Sequence, residues 1–264
     1  MSSVAKSLAL ITGGSNGLGA ALAIQAASIY QIVLVADLDA EAGEALAKKK
    51  GNIHFSQVDL ASPEARAQIV DLAKGLGPID LLVNNAAVSV GGPLHTTPKQ
   101  DVDWLLDINL RAAVQLSRAV LPDMVARASG HIANISSAAG LIGMPYRSVY
   151  CAAKSGLRGF SESLCAELQG TGVGVSIVHP GPVKTQMFER SRYSLRRLRD
   201  NESSYLTKAG MDPEKLASVI LGGIARNQFV MTPGRQSCGL DLVRRFFPES
   251  AVYWLGRFRD RLPA

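Results

Sequence analysis

The feature that most constrains the fold of this chain is a regular alternation of short apolar runs with longer amphipathic stretches. The apolar runs are typical of buried β-strands, and they cover residues 8–12, 32–36, 53–58, 79–83, 130–135, 173–178 and 228–231. Helical patterns separate these runs. Apolar strands that alternate with helices are typical of a parallel sheet covered on both faces. The pattern predicts an α/β, Rossmann-like, doubly wound parallel sheet of about seven strands with helices on both faces.

Length and composition predict one globular domain over residues 1–264. The chain is 47% hydrophobic and 19% charged, which suits a filled core, and neither a repeat nor a low-complexity linker divides it. No apolar run reaches the ~18 residues of a membrane-spanning helix, and the N-terminus does not resemble a secretory signal. Three cysteines and four histidines lack the spacings of disulfide frameworks and metal sites. We expect a cytoplasmic protein with reduced thiols and no bound metal.

A glycine-rich segment joins the first predicted strand to the first predicted helix. In this position glycines let a pyrophosphate approach the backbone, and the first N–H groups of the helix bind its negative charge. A tight turn without a ligand is the alternative, but the place of the segment after the first strand favours a dinucleotide site. The candidate contacts are Thr12, Gly13, Ser15, Asn16, Gly17, Leu18 and Gly19.

Asp37 ends the second predicted strand and indicates which dinucleotide binds. A carboxylate at this place can accept hydrogen bonds from the adenosine ribose and would repel a 2′-phosphate. Leu38 follows it and Asn16 is neutral, so no cation is expected at the place of that phosphate. A solvated carboxylate at a strand end is the alternative. Together the three positions favour NAD over NADP.

Tyr150 and Lys154 form the candidate acid–base pair. Their i, i+4 spacing places them on one face of a helix predicted over 149–169. With six tyrosines in the chain, chance supplies such a pair with odds of roughly one in four, so the spacing alone is weak. Acting as a base near neutrality requires a phenol pKa lowered by about 3 units, and a nearby ammonium favours the phenolate. Ser136 and Ser137 end the fifth predicted strand, and either can place a hydroxyl in the same crevice.

Taken together, these features resemble the short-chain dehydrogenase/reductase family over residues 12–231. The resemblance rests on TGGSNGLG at 12–19, Asp37, Asp59, Asn84–Ala87, Asn109, Ser137, YCAAK at 150–154 and residues 180–185. The set, in this order and spacing, is far more specific than any one of its members. One departure is Ala87, where the family usually has glycine, and the added methyl removes no catalytic group.

The resemblance implies a catalytic set. Tyr150 would exchange a proton with the substrate oxygen, and Ser137, thirteen residues earlier at the family's usual interval, would hydrogen-bond that oxygen. Lys154 would bind the nicotinamide ribose and lower the pKa of Tyr150. Asn109 would hold a water that links Lys154 to a proton relay.

The resemblance also implies the rest of a cofactor site. Asp59 would contact adenine, Asn85 would fix the loop beside the cofactor, and residues 180–185 would cradle the nicotinamide amide. The implied contacts beyond the glycine segment are Asp37, Leu38, Asp59, Leu60, Asn85, Ala86, Ala87, Tyr150, Lys154, Pro180, Gly181, Val183 and Thr185.

The net positive charge lies entirely in the last third of the chain. Residues 186–264 contain 14 lysines and arginines against 8 acidic residues, which accounts for the whole net charge of +6. In the family, the loop at 186–211 covers the substrate, and its arginines either select an anionic group or belong to a mobile, solvated lid. The segment at 239–264 is a basic amphipathic extension. It either contacts a membrane surface, closes the substrate pocket or packs on a second subunit.

The predicted function is hydride transfer between NAD and a secondary alcohol or ketone. The extension is similar to that of family members acting on steroids, retinoids or acyl compounds, which implies an apolar substrate. The alternative is a catalytically silent member that senses NAD or binds nucleic acid or a membrane. The set Ser137, Tyr150 and Lys154 favours the enzyme, and no nucleic-acid module is recognisable. The resemblance further implies a homodimer or homotetramer through the helices at 99–125 and 149–169.

Overall fold

Seven parallel strands form one sheet at the centre of the molecule. The computed structural model describes residues 6–185, 187, 190–195, 198–200, 204 and 209–257. The strands are β1 (Lys6–Thr12), β2 (Tyr30–Asp37), β3 (Ile53–Gln57), β4 (Ile79–Asn84), β5 (Val90–Gly91), β6 (Gly130–Ile135), β7 (Val173–Val178), β8 (Arg192–Tyr193) and β9 (Val230–Met231). The sheet has the order β3-β2-β1-β4-β6-β7-β9, and β5 and β8 form a small parallel ladder outside it. The predicted fold is confirmed.

Helices connect the strands and cover the sheet. They are α1 (Gly17–Ala26), α2 (Ala40–Ala47), α3 (Pro63–Leu76), α4 (Lys99–Leu106), α5 (Ala112–Ala126), α6 (Ser148–Glu167), α7 (Pro213–Ala225), α8 (Arg235–Phe246) and α9 (Pro248–Arg257). No helix in the described ranges is long and apolar enough to cross a membrane.

The two faces of the sheet carry separate apolar layers because alternate residues of a strand point to opposite sides. Ala9 and Ile11 of β1 pack in one layer with α1 and α7. Leu8 and Leu10 pack in the other layer with α3, α5 and α6. This is why the strands appear in the sequence as continuous apolar runs.

The helix predicted over 99–125 is interrupted, which the sequence pattern did not indicate. A π-helical turn at Asp107–Arg111 separates α4 from α5. Within it the side chain of Asn109 is buried and pairs with the backbone of Val88, accepting from its N–H and donating to its carbonyl, both at 2.8 Å. The wider turn therefore fixes Asn109 on the loop after β4. Such turns are frequent at functional sites.

The order of the strands defines a crevice at one edge of the sheet. After β1 the chain winds towards β3 on one side and towards β6 on the other, so the connections diverge between β1 and β4. In doubly wound sheets, ligands bind outside the carboxyl ends of the strands at this point. The glycine segment after β1 and residues 84–87 after β4 meet there.

Candidate active site

Two glycines of this segment, Gly13 and Gly17, lie where a side chain would not fit. Gly13 has a φ of +62°, and a Cβ there would lie 2.7 Å from the Cα of Ala86. Gly17 has a φ of +52°, and its Cβ would lie 2.8 Å from Cγ2 of Thr185. The glycine segment therefore packs directly against the loops at 84–87 and 180–185, with its backbone at the surface of the crevice.

Thr12 and Asn85 hold this arrangement. The Thr12 hydroxyl is buried; it donates to the Val83 carbonyl at 3.2 Å and accepts from the N–H groups of Asn85 and Ala86 at 3.0 and 3.1 Å. The Asn85 side chain donates to the carbonyls of Thr12 and Gly13. The geometry gives both residues a part in shaping the cofactor loop, and the Thr12 hydroxyl has no capacity left for a direct contact.

The start of α1 fits an anion such as a pyrophosphate. Asn16 occupies the cap position, but its side chain makes no cap hydrogen bond and donates instead to Asp39 at 3.0 Å. The first N–H groups of the helix therefore keep their capacity to donate to a ligand. The Ser15 hydroxyl is also buried with no hydrogen-bond partner. Unused donors around a glycine-rich loop match the phosphate groups of a dinucleotide.

Asp37 is the last residue of β2, at the carboxyl edge of the sheet. Its carboxylate accepts from the N–H of Ser15 at 3.0 Å and from the N–H of Asp39 at 3.1 Å. Asp59 is exposed at the end of the next strand, where it accepts from the N–H of Ala61. A carboxylate held by two backbone N–H groups keeps lone pairs for ribose hydroxyls.

A cation that the sequence did not indicate lies at Asp39, two residues after Asp37. Arg190 forms an ion pair with Asp39, the same carboxylate that accepts from Asn16. The backbone N–H of Ala42 and the guanidinium of Arg190 hold the pKa of Asp39 below its usual value. The sequence did not indicate this cation because Arg190 arrives from a loop 151 residues away along the chain.

Tyr150 and Lys154 lie in the first turns of α6 on one face, as their spacing predicts. The Lys154 side chain is 2% exposed, and its ammonium donates to the Ile135 carbonyl at 2.9 Å. The same nitrogen lies 5.8 Å from the centre of the Tyr150 ring. Burial lowers the pKa of Lys154 to about 8. Since an ammonium has three N–H donors, the described structure leaves two for ribose hydroxyls.

The two adjacent serines have different surroundings. The Ser136 hydroxyl is buried and donates to the Lys154 carbonyl at 3.0 Å. Ser137 is partly exposed, and its hydroxyl accepts from the N–H of Ala139 at 3.2 Å, so its own proton stays available. His179 is buried behind it, with Nδ1 3.2 Å from the Ser137 carbonyl oxygen. Burial lowers the pKa of His179, so the neutral ring is favoured.

A small cavity lies behind Lys154, lined among others by Thr12, Asn84, Asn109 and Lys154. It offers about 10 Å³ to the centre of a water molecule, close to the minimum that one water needs. The Oδ1 atom of Asn84 is buried without a partner, which gives such a water an acceptor.

The sequence did not indicate a role for Asn84 or for the network of side-chain hydrogen bonds that starts from it. The Asn84 amide donates to Asn134 at 2.8 Å, and Asn134 donates to Ser161 on α6 at 2.8 Å. Because all three are buried, these bonds fix the loop after β4 relative to α6. The signal in the sequence was an asparagine near the end of each of two apolar strands, Asn84 in β4 and Asn134 in β6.

Residues 180–185 border the crevice beside the glycine segment. The Pro180 carbonyl accepts from Ala138, and Lys184 and Met211 pair through their backbones. Leu18 and Leu60 are buried nearby in the core, whereas Leu38 is exposed. Ala86, Ala87, Gly181 and Val183 are partly exposed, as a crevice lining requires.

Arginines dock the described part of the loop at 186–211 on the rest of the chain. β8 pairs with β5, and Arg192 stacks 3.9 Å from the centre of the Trp104 ring while pairing with Asp101. The buried Arg147, which the sequence reasoning also missed, contacts Ser89 and lies over the ring of Tyr193. Arg190 and Arg192 are thus paired with carboxylates of this chain. Arg196 and Arg197 lie outside the described residues.

The described residues contain no group of three or more histidines, cysteines or acidic residues that could hold a metal ion. The donors in the crevice are hydroxyl, amide and ammonium groups, which suit a dinucleotide and an alcohol.

Comparison with known sequences finds relatives that are named as dehydrogenases. Retinol dehydrogenase 8 of Bos taurus is 39% identical over 188 residues, covering 67% of this chain. The 17-beta-hydroxysteroid dehydrogenase type 1 of Homo sapiens is 32% identical over 249 residues, covering 83% of this chain and 74% of that protein. The match spans only 59% of the length of the retinol dehydrogenase.

Solved structures with the same fold are also known. A short chain dehydrogenase/reductase from Burkholderia phymatum in complex with NAD superposes with a TM-score of 0.86 at 24% identity, covering 95% of this chain and 97% of that one. A metagenomic short-chain oxidoreductase in complex with NADP gives 0.68 at 32% identity, covering 86% and 95%. The family model for short chain dehydrogenases matches residues 7–195. The chain therefore belongs to the short-chain dehydrogenase/reductase family of oxidoreductases.

Proposed function

We propose that the chain is an NAD-dependent oxidoreductase that transfers hydride between the nicotinamide and a secondary alcohol or ketone with an apolar body. The observation that carries the proposal is the buried Lys154 ammonium, 5.8 Å from the Tyr150 ring. A positive charge at this distance favours the phenolate form of Tyr150. A sensor that only binds the cofactor has no need of this pair.

Residues of the crevice would hold the cofactor at three places. The backbone N–H groups at 17–19 and the Ser15 hydroxyl would donate to the pyrophosphate. Asp37 would accept from the adenosine ribose, and Lys154 would donate to the nicotinamide ribose. The bound cofactor supplies the acceptor or donor of the hydride. The contacts that the family resemblance implies for Asp59, Asn85 and residues 180–185 are part of this proposal.

The substrate proton would move through this chain's own groups. In the direction of oxidation, the Tyr150 phenolate oxygen takes the proton of the substrate hydroxyl, and Ser137 donates a hydrogen bond that orients the same oxygen. Asn109 and Lys154 line the cavity with room for one water. A water there would carry the proton away from the crevice, in agreement with the relay expected for Asn109.

An apolar substrate is supported by the residues around Tyr150. Val90, Leu105 and Ala139 pack with its ring, and Val88, Trp104 and Met144 lie against them, partly exposed. Relatives whose names specify retinol and a steroid agree with this choice. A panel of secondary alcohols, from short polar compounds to steroids and long-chain alcohols, tests it by NADH absorbance. We expect turnover only of the apolar members, and efficient turnover of short polar alcohols alone would contradict it.

Cofactor preference gives a separate prediction. We expect NAD to bind more tightly than NADP, and Asp37→Ala to weaken NAD about tenfold, because a charge-assisted hydrogen bond is lost. The same change should improve NADP binding by removing a repulsive charge. Fluorescence titration with NADH and NADPH measures both affinities, with Asp71→Ala on α3 as the matched control.

Arg190 is the residue that would provide residual NADP binding. Its guanidinium pairs with Asp39, close to where the adenosine ribose would bind. It could leave this carboxylate and pair with the 2′-phosphate of NADP instead. Arg190→Gln should therefore weaken the binding of NADPH and leave the binding of NADH nearly unchanged. Tighter binding of NADPH than of NADH by the unmutated chain would overturn the NAD assignment.

We also infer a homodimer or homotetramer through α4, α5 and α6, which rests on the family resemblance. Sedimentation velocity tests it, and a monomer at all concentrations would contradict it. A cytoplasmic location stays a prediction, tested by cell fractionation.

A further inference from the structure

The C-terminal helices carry an exposed apolar surface. Seven large apolar side chains on α8, α9 and the residue between them are 40–78% exposed: Leu242, Val243, Phe246, Phe247, Val252, Tyr253 and Trp254. These seven, called the aromatic patch below, are half of the large apolar side chains that are exposed in the described ranges. A concentration of this kind within 13 residues marks an interaction surface.

The opposite side of the two helices is packed on the protein. Ser237 is fully buried, with its hydroxyl 3.3 Å from the place of a Cβ on Gly181, and Ala251 is 6% exposed. This packing leaves the aromatic patch on the exposed side of α8 and α9.

Cations border the aromatic patch. Arg244 and Arg245 share a single carboxylate, that of Asp241, at 3.7 and 2.8 Å. Arg257 lies in the last turn of α9. Residues 235–257 contain four arginines and only two acidic residues. The surface therefore joins an apolar area to a net positive charge.

We propose that α8 and α9 form an interfacial anchor that binds the headgroup region of an anionic lipid bilayer. Phenylalanine, tyrosine and tryptophan side chains suit the boundary between headgroups and acyl chains, and arginines suit anionic headgroups. A second copy of the chain fits less well. A two-fold interface through this surface would bring the same arginines of both copies together.

The position of the anchor has a consequence for the crevice. α8 starts beside Gly181, in the segment that borders the proposed nicotinamide site. Docking on a bilayer would hold that end of the crevice near the lipid, where an apolar alcohol is concentrated. This consequence rests on the proposed function, whereas bilayer binding itself does not.

Trp254 provides a direct reporter. In the Trp104→Phe variant of the full chain, Trp254 is the remaining tryptophan, since the sequence has two. We expect its emission to shift to shorter wavelength with vesicles that contain phosphatidylserine, and the shift to shrink as salt is added. Vesicles of phosphatidylcholine alone should give a much smaller shift. No shift and no co-sedimentation with anionic vesicles would overturn the proposal.

Two variants and one control identify the surface. Phe246→Ser/Trp254→Ser should reduce co-sedimentation by about tenfold or more, and Arg245→Gln/Arg257→Gln by about the same factor. Leu72→Ser, on an exposed leucine of α3, should leave it unchanged. NADH binding, measured in every variant, shows that the fold is intact.

Equal loss of vesicle binding in the Leu72 variant would mean non-specific adhesion and overturn the proposal. A changed sedimentation coefficient without vesicles in the aromatic variant would identify a subunit interface instead. Because these measurements use no substrate, their failure leaves the assignment of hydride transfer untouched.

Discussion

Replacing Tyr150 with phenylalanine should lower kcat by about 10²–10⁴-fold, the usual contribution of a positioned acid–base group. The ring is 9% exposed and packs with Val90, Leu105 and Ala139, so phenylalanine fills the same space and removes only the hydroxyl. Affinity for NADH should change little, because Asp37, the glycine segment and Lys154 stay in place. Steady-state NADH absorbance and NADH fluorescence titration measure the two quantities.

Tyr253→Phe is the matched control for this change. Tyr253 is 78% exposed on α9 and lies outside the crevice, so its variant should keep the parent's kcat. An alcohol that the Tyr150 variant and the parent turn over equally would show that Tyr150 is not the acid–base group.

Replacing Lys154 with methionine should have the second largest effect. The methionine side chain is similar in length to that of lysine but has no charge. The phenol of Tyr150 therefore loses the ammonium that favours its ionised form. We expect kcat to fall about 10²-fold or more at neutral pH, and the rise of kcat with pH to move to higher pH. A residue that only supported the fold would change kcat without moving this profile.

Lys154 should also affect the stability of the cofactor-free protein. Its folded-state pKa of about 8 lies below the ordinary value of 10.5 because burial disfavours the charged form. Between these values the unfolded chain holds more protons, so the free energy of unfolding should rise as pH rises from about 8 to 10.5. Lys154→Met should remove this rise.

Urea unfolding of parent and variant across this pH range measures the difference. Comparing the two chains at each pH cancels the titration of other groups, Tyr30 among them. Parallel pH dependences would show that Lys154 is not held in the buried state that the structure gives it.

The sequence predicted the sheet well because its central strands, such as β4 and β7, are buried on both faces and therefore appear as continuous apolar runs. The sequence predicted the helices less well where a local change in helix geometry interrupts the pattern. The π-helical turn around Asn109 inserts a wider turn into an otherwise regular helical pattern, and periodicity does not resolve so short a change.

Contacts between distant segments were also beyond the sequence. The approach of Arg190 to Asp39 and the link from Asn84 to Ser161 depend on how loops and helices meet in three dimensions. The choice of Ser137 over Ser136 came from the family's spacing. The structure supplies a physical reason, since the Ser136 hydroxyl is used by the Lys154 carbonyl.

The most direct test of the proposed function follows the hydride itself. The chain is incubated with NAD and an apolar secondary alcohol that carries deuterium on the carbinol carbon, and the reduced cofactor is analysed by mass spectrometry and NMR. The account predicts one deuterium on carbon 4 of the nicotinamide, on a single face, and none with Tyr150→Phe over the same time. Cofactor reduction without deuterium on the ring, or no reduction with any apolar alcohol, would contradict it.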